Sequence, residues 1–261
     1  MNKNYKIVFL DIDNTLYPND TKIIPESTIK AVKEAQDNGV LISLATGRNL
    51  PLSKLSGVMD VINFDYMVLC NGALVLDKNL NIVYGDPMSK ESIQKILDES
   101  TKCDCNVVFH TYNDFFCYNN NFDMAFTGLK TFNIDVPDVK PLKDDVYMLN
   151  LFLDDKDVKP FMDLTPEFTF IRLRGLGYDI IKNDVNKATG IANLIKKIGI
   201  SQDEVIAIGD GLNDIEMIDY AGLGISMGNG VKELKEKANY ITSDVNDNGI
   251  YNAFKYFNLI K

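Results

Sequence analysis

Four short stretches of this 261-residue sequence hold residue types that can do chemistry. Asp11-Ile12-Asp13-Asn14-Thr15-Leu16 and Gly209-Asp210-Gly211-Leu212-Asn213-Asp214 are rich in carboxylates. Thr46-Gly47-Arg48 and Asn71-Gly72-Ala73 add a hydroxyl, a guanidinium and an amide. Each stretch follows a short apolar run, and in open parallel sheets ligands bind at the carboxyl ends of the strands. On one rim, Asp11, Asp13, Asp210 and Asp214 would repel one another and raise their own pKa values. A hard divalent cation removes that conflict, and Mg²⁺ prefers a few carboxylates together with water and phosphate oxygens. Metal plus phosphate is the chemistry this pattern implies. Taken singly, Asp-x-Asp suits an ordinary turn or helix cap, and Gly-Asp-Gly a tight turn. Their order at successive strand ends is what favours a site.

Composition removes much else. The chain has 27 Lys and Arg against 37 Asp and Glu, a net charge of −10, and one histidine, His110. An acidic balance argues against general affinity for nucleic acid or anionic membrane, which need clustered Lys and Arg. A single histidine rules out a multi-His zinc site and makes carboxylates the natural catalysts; His110 itself reads as a structural or surface residue. Bidentate guanidinium contacts could come only from Arg48, Arg172 and Arg174. Cys70, Cys103, Cys105 and Cys117 form no C-x-x-C motif and read as reduced thiols. With no run near the roughly 18 apolar residues of a membrane span and no secretory signal pattern, the expected location is the cytoplasm.

These residues must be positioned by strands and helices. Tyr5–Leu10, Val40–Ala45, Tyr66–Cys70 and Val205–Ile208 are nearly continuous apolar runs, as expected of strands buried on both faces. Helical spacing runs through Ile29, Val32 and Ala35, with Pro25 just inside its start and Gly39 as its stop. A second stripe, Ile191, Leu194, Ile195 and Ile198, closes at Gly199. Helix over Ile215–Ala221 and strand over Gly224–Ser226 complete this rhythm of right-handed crossovers. Between about Gly85 and Asn183 the pattern changes. Strand-like segments Asn106–Phe109, Tyr147–Phe152 and Phe168–Arg172 sit among helix candidates around Ile93–Leu97 and Val158–Leu164. The fold class is therefore α/β, a Rossmann-like parallel-sheet core at 1–84 and 184–261 with an inserted α+β domain at 85–183.

The combination DIDNTL, TGR, Lys187 within NKATGI, and GDGLND resembles the haloacid dehalogenase superfamily of aspartate-nucleophile phosphatases. It is most similar to the Cof-like hydrolases with a large cap; Asn71-Gly72-Ala73 and Ser226-Met227-Gly228-Asn229-Gly230 look like further motifs of that group. The resemblance implies Asp11 as nucleophile and Asp13 as acid and then base, its backbone carbonyl also on the metal. It implies Thr46 and Lys187 on the phosphoryl oxygens, and Mg²⁺ held by Asp11, Asp13 and Asp210, with Asp214 in or just behind that shell. Thr15, Gly47, Arg48, Asn71 and Asn213 would hold loop geometry or contact the substrate. Asn14 departs from the Gly common in the family, and Asn tolerates a left-handed backbone.

Asp13 and Thr46 are only 33 positions apart, so the insertion lies after the third strand, where the larger caps of the superfamily sit. Such caps close over the site and contact the non-phosphate part of the substrate, which places substrate choice in residues 85–183. That segment holds 11 Lys and Arg against 17 Asp and Glu when counted from 84 to 183, so it is no polyanion clamp. The expected partner is a small phosphorylated metabolite, a sugar phosphate first and a cofactor phosphate next, taken by a monomer or weak homodimer. A phosphomutase using the same site and a catalytically slow phosphometabolite-binding regulator are the alternatives.

Overall fold

A computed structural model describes residues 5–173 and 175–261; Arg174 lies outside the described residues. The chain divides into two compact units, one of Met1–Arg48, Leu52–Tyr84 and Asn186–Lys261, the other of Asn49–Pro51 and Gly85–Val185. The fold class is α/β. Among the described residues no helix is long and apolar enough to cross a membrane.

The strands in chain order are β1 (Ile7–Leu10), β2 (Leu41–Ala45), β3 (Tyr66–Leu69), β4 (Leu74–Asp77), β5 (Ile82–Gly85), β6 (Asn106–Thr111), β7 (Phe115–Cys117), β8 (Val146–Phe152), β9 (Phe168–Arg172), β10 (Tyr178–Lys182), β11 (Val205–Gly209), β12 (Leu223–Ser226) and β13 (Tyr240–Ile241). The first unit's sheet runs β13-β12-β11-β1-β2-β3-β4-β5. Its centre is parallel: β1 pairs with β11 and β2, and β2 with β3. All four residues of β1 are fully buried, as a strand sandwiched between helix layers requires. Helix Glu26–Asp37 buries Thr28, Ala31, Val32 and Ala35 on one stripe and makes the first crossover. Pro25 occupies its cap rather than its first turn. Helix Lys187–Ile198 packs Ile191, Leu194 and Ile195 against Ile7, Phe9, Val68 and Ala207, and ends at Gly199 in the left-handed conformation. The sheet also has a hairpin that the apolar-run reading left unassigned: β4 returns antiparallel to β3, pairing Leu69 with Leu74.

The second unit is a five-stranded sheet, β7-β6-β8-β10-β9, whose paired strands run antiparallel. One face, with Val107, Phe109, Leu149, Leu151, Tyr178 and Ile180, packs on helices Lys90–Ser100 and Lys159–Leu164. The other face puts Val108, Cys117 and Phe152 under helix Phe122–Lys130. That helix, β7 and β10 were not read from the sequence. The Asn119–Asn121 run ahead of the helix is fixed by Asn106, whose Nδ2 donates to the carbonyls of Asn119 (3.0 Å) and Asn121 (3.1 Å).

The same face carries a polar chain across three strands. His110 Nε2 lies 2.6 Å from Asn150 Oδ1, and Asn150 Nδ2 donates to Asp179 Oδ1 at 2.5 Å. Burial pushes the His110 imidazole down to about 4, against a smaller opposing pull from Asn150. Burial pushes the Asp179 carboxyl up to about 7, and the Asn150 amide pulls it partly back. In the unfolded chain these groups titrate near their ordinary values of about 6.5 and about 4. His110 therefore loses stability for the fold as pH falls from about 6.5 towards 4. Asp179 loses it as pH rises from about 4 towards 7. The slopes oppose each other over one window, so the profile is flattened. Asp179→Asn removes one of them. Urea melts should show the variant more stable than the parent by on the order of 3 kcal/mol at pH 7.5, with stability falling steeply towards pH 4.5. A profile as flat as the parent's would contradict this account.

Candidate active site

Four strand ends of the first unit's sheet converge. The β1 ladder extends one residue to Asp11, whose N–H donates to Ile208 O at 3.1 Å. The chain then turns tightly, with Ile12 O accepting from the N–H groups of Thr15, Leu16 and Tyr17. Asn14 takes the left-handed conformation, φ +57°, which Asn adopts at lower cost than most residues. Its carbonyl accepts from Asn229 Nδ2 at 2.8 Å, so the Ser226–Gly230 loop braces the Asp11–Leu16 loop.

After β2, Thr46 N–H donates to Val68 O at 2.9 Å, and Thr46 Oγ1 accepts from the Arg48 N–H at 3.2 Å. The Arg48 guanidinium, expected at the substrate, is instead engaged on Asp13. Nη2 donates to Oδ1 at 2.8 Å and Nε to Oδ2 at 3.1 Å. Burial opposes the Arg48 charge, but Asp13 outweighs it and holds the guanidinium above its usual value.

After β3, Cys70–Gly72 form one tight turn with three consecutive positive φ values of 50°, 51° and 106°. Gly72 is required there. A Cβ would stand 2.0 Å from Asn186 O, at the mouth of helix Lys187–Ile198. Asn186 caps that helix, its Oδ1 accepting from Thr189 N–H at 2.9 Å while Thr189 Oγ1 accepts from Asn186 N–H at 3.0 Å. The Asn-x-x-Thr pattern before the apolar stripe is the sequence sign of this cap. Turn and cap together fix Lys187 in the first helical turn.

Lys187 is the centre of the site and is fully buried. Its Nζ donates to Asp11 Oδ1 and to Asp214 Oδ1, each at 2.6 Å. Burial works against the ammonium, but Asp11 and Asp214 outweigh it and hold its pKa above the ordinary lysine value. For Asp11 burial wins: it raises the carboxyl well above the usual range against the pull of Lys187, with Asp214, Asp210 and Asp13 adding to the rise. After β11, Asp214 uses its other oxygen on the N–H groups of Asp210 (3.0 Å) and Gly211 (2.8 Å). Gly209 makes this possible, since a Cβ there would lie 2.4 Å from Asp214 Cγ. Thr15 Oγ1 donates to Asp210 Oδ1 at 3.3 Å, and Asn213 Nδ2 to Asn71 Oδ1 at 3.3 Å. Gly47 lies against that same amide: a Cβ on it would meet Asn71 Oδ1 at 3.0 Å.

Carboxylate oxygens of Asp11, Asp210 and Asp214 lie within 4.8 Å of one another. Three hard oxygen donors suit Mg²⁺ rather than a softer metal. Both Asp214 oxygens are already committed, one to Lys187 and the other to two backbone amides. Asp214 thus braces the set, while Asp11 and Asp210 are the better placed to hold an ion. The Asp13 carboxylate belongs to Arg48 and falls outside this group, leaving its backbone carbonyl as the atom a metal could use.

A parallel sheet with three clustered carboxylates and one buried lysine at its strand ends marks an α/β protein with a charged, buried site in its loops. The chain belongs to the haloacid dehalogenase-like hydrolase family, whose family model matches residues 8–254. It is 31% identical to the Bacillus subtilis 5-amino-6-(5-phospho-D-ribitylamino)uracil phosphatase YcsE, over 97% of this chain and 95% of that one. The crystal structure of a hypothetical protein from Geobacillus kaustophilus superimposes with a TM-score of 0.92 at 33% identity, covering 98% of this chain and all of that one. The subclass IIB sugar phosphatase BT4131 superimposes with a TM-score of 0.81 at 26% identity, over 98% and 100%. The enzyme class is phosphoric monoester hydrolase.

Lys187→Met would leave Asp11 and Asp214 buried without their cation. Removing one partner of a buried ion pair costs about 3–5 kcal/mol. Urea melts in EDTA should show that loss; a change below about 1 kcal/mol would mean the lysine does not hold the carboxylates together.

Proposed function

We propose that this enzyme hydrolyses small phosphorylated metabolites, sugar phosphates first and cofactor phosphates next, through an aspartyl-phosphate on Asp11. The observation that carries the reading is the buried Asp11–Lys187–Asp214 bridge. It fixes one Asp11 oxygen at a strand end and leaves the carboxylate a single direction of attack. The names of YcsE, a ribitylaminouracil phosphatase, and BT4131, a sugar phosphatase, support the substrate class. Residues 85–183 are assigned as the specificity cap and 1–84 with 184–261 as the catalytic core, in a cytoplasmic monomer or weak homodimer.

In the first step an Asp11 oxygen attacks phosphorus, the ester P–O bond breaks, and the leaving oxygen takes a proton delivered by Asp13 once its carboxyl has left Arg48. In the second, Asp13 takes a proton from water, the water oxygen attacks phosphorus, and the Asp11–phosphate bond breaks to release inorganic phosphate. Splitting one displacement in two is what covalent catalysis gains. Thr46 and Lys187 donate to the phosphoryl oxygens as charge shifts between them. Asn213, Asn71, Thr15 and the Gly47 N–H hold the loops or the phosphate, and Arg48 orients the Asp13 carboxylate. Mg²⁺, held by Asp11, Asp210 and the Asp13 carbonyl, supplies positive charge to the phosphoryl oxygens when bound.

A phosphate-release screen over a metabolite panel tests the reading. Turnover should require Mg²⁺, fall about 10²–10⁴-fold in Asp13→Asn, and vanish in Asp11→Asn. Isomeric product without free phosphate would mean a phosphomutase, and activity surviving Asp11→Asn would overturn the covalent route. Independently of activity, millimolar MgCl₂ should raise the melting temperature of the parent and not of Asp210→Asn. No rise in the parent would remove Mg²⁺ from this site.

A further inference from the structure

The proposed route takes the Asp13 carboxyl away from Arg48, and the two ends of that pair stand in different surroundings. The Asp13 side chain is 38% exposed, the Arg48 side chain 14%. Asp13 can turn outward; the guanidinium stays behind. Its remaining partner among the described residues is then Leu52 O, which accepts from Nη1 at 3.4 Å. A buried cation left with so little is costly. Proton delivery by Asp13 therefore calls for a second acceptor beside Arg48.

Tyr17 has one to offer. The residue is fully buried and faces Asp13 across an isolated β-bridge, with Asn14 N–H donating to Tyr17 O at 2.8 Å. The turn that presents Asp13 thus presents Tyr17 as well. Among the described residues the Tyr17 hydroxyl has no hydrogen-bond partner, although buried polar groups are normally paired. The Ser56 hydroxyl lies near enough to pull on the phenol's pKa. Its proton goes to Ser53 O at 2.6 Å, however, so it brings the Tyr17 oxygen no donor. Arg48 and Tyr17 act on each other's charge in both directions. Burial pushes the phenol up to about 12, against the pull of Arg48. The group stays neutral, with oxygen lone pairs free to accept an N–H.

We infer that Tyr17 is a positioning residue for the acid–base step, its phenol oxygen accepting from Arg48 while the Asp13 carboxyl is at the leaving oxygen. The guanidinium then has two holders, Asp13 at rest and Tyr17 during proton delivery. Tyr17 acts on the reaction only through that pair. The catalytic use rests on the phosphatase reading; the contact between phenol and guanidinium does not.

Two measurements on the full chain test this. The first is a stability cycle of parent, Tyr17→Phe, Asp13→Ala and the double variant, read as melting temperatures in EDTA. At rest the Tyr17 hydroxyl is buried and unpaired, so Tyr17→Phe should melt no lower than the parent. In Asp13→Ala the guanidinium has lost its carboxylate and turns to the phenol. There the same change should lower the melting temperature by about 2–4 °C. A tyrosine that merely filled space would give no such reversal of sign.

The second measurement divides kcat/KM for the alkyl phosphate that the parent turns over fastest by that for p-nitrophenyl phosphate. An alkoxide needs a proton to leave and p-nitrophenolate hardly does, so the ratio isolates acid delivery. It should fall about 10-fold in Tyr17→Phe, the loss expected for one hydrogen bond to a charged group. No reversal of sign in the cycle overturns the inference. A reversal with a ratio within 2-fold of the parent's overturns it too, because the contact then plays no part in proton delivery. Were the parent to release no phosphate from any ester of the panel, the phosphatase reading would fall and the cycle alone would decide.

Discussion

The site depends on one ammonium group held where no water reaches it. Lys187 Nζ sits 2.6 Å from both Asp11 and Asp214, and three carboxylates crowd one small volume. One lysine cannot neutralise three acids, so the cluster keeps an excess of negative charge in a buried place. Ordinary folding would not select that arrangement, because isolated buried charges are expensive. The excess is what a cation would offset, and burial together with the neighbouring acids pushes Asp11 towards protonation. In the proposed mechanism the same lysine that makes the cluster tolerable also supplies positive charge for a phosphoryl group. Stability and the proposed chemistry then draw on a single side chain, which the neighbouring loops aim.

That aiming is a matter of backbone. Lys187 stands in the first turn of its helix, so its direction is set by the cap at Asn186 and by what abuts it. Gly72 abuts it, with room for no side chain at all. The turn containing Gly72 takes three successive left-handed residues, two of them not glycine. Strain of this sort persists only where the surroundings over-determine it. Here Asn71 is tied to Thr46 O by its N–H and to Asn213 by its side chain, so the ends of β2, β3 and β11 are linked through one strained turn. A shift in any of the three would move the lysine.

Much of this was readable in the sequence. Runs such as Ile7–Leu10 and Val205–Ile208 read as strands buried on both faces because nothing polar interrupts them. The carboxylates at their ends could then be brought together on paper. Four things could not. The β4 hairpin turns at Asn71-Gly72, residues set apart in the sequence as chemistry-bearing rather than as the turn signal they also are. The Arg48–Asp13 pair joins residues 35 apart, and spacing says nothing of which cation meets which acid. Lys187 sits among polar neighbours in the chain, so spacing does not show that its side chain is fully buried between Asp11 and Asp214. Helix Phe122–Lys130 was hidden by Gly128, a poor helix former, which is needed because a Cβ there would stand 2.2 Å from Phe152 Cδ1.

The two units deal with buried charge in opposite ways. In the first, acids and a lysine stand in contact and each stabilises the other's charged form. In the second, His110 and Asp179 are kept apart by an amide and each is pushed towards its neutral form. Placing Asn150 between them prevents proton transfer from one to the other and fixes the imidazole tautomer from the carboxylate end.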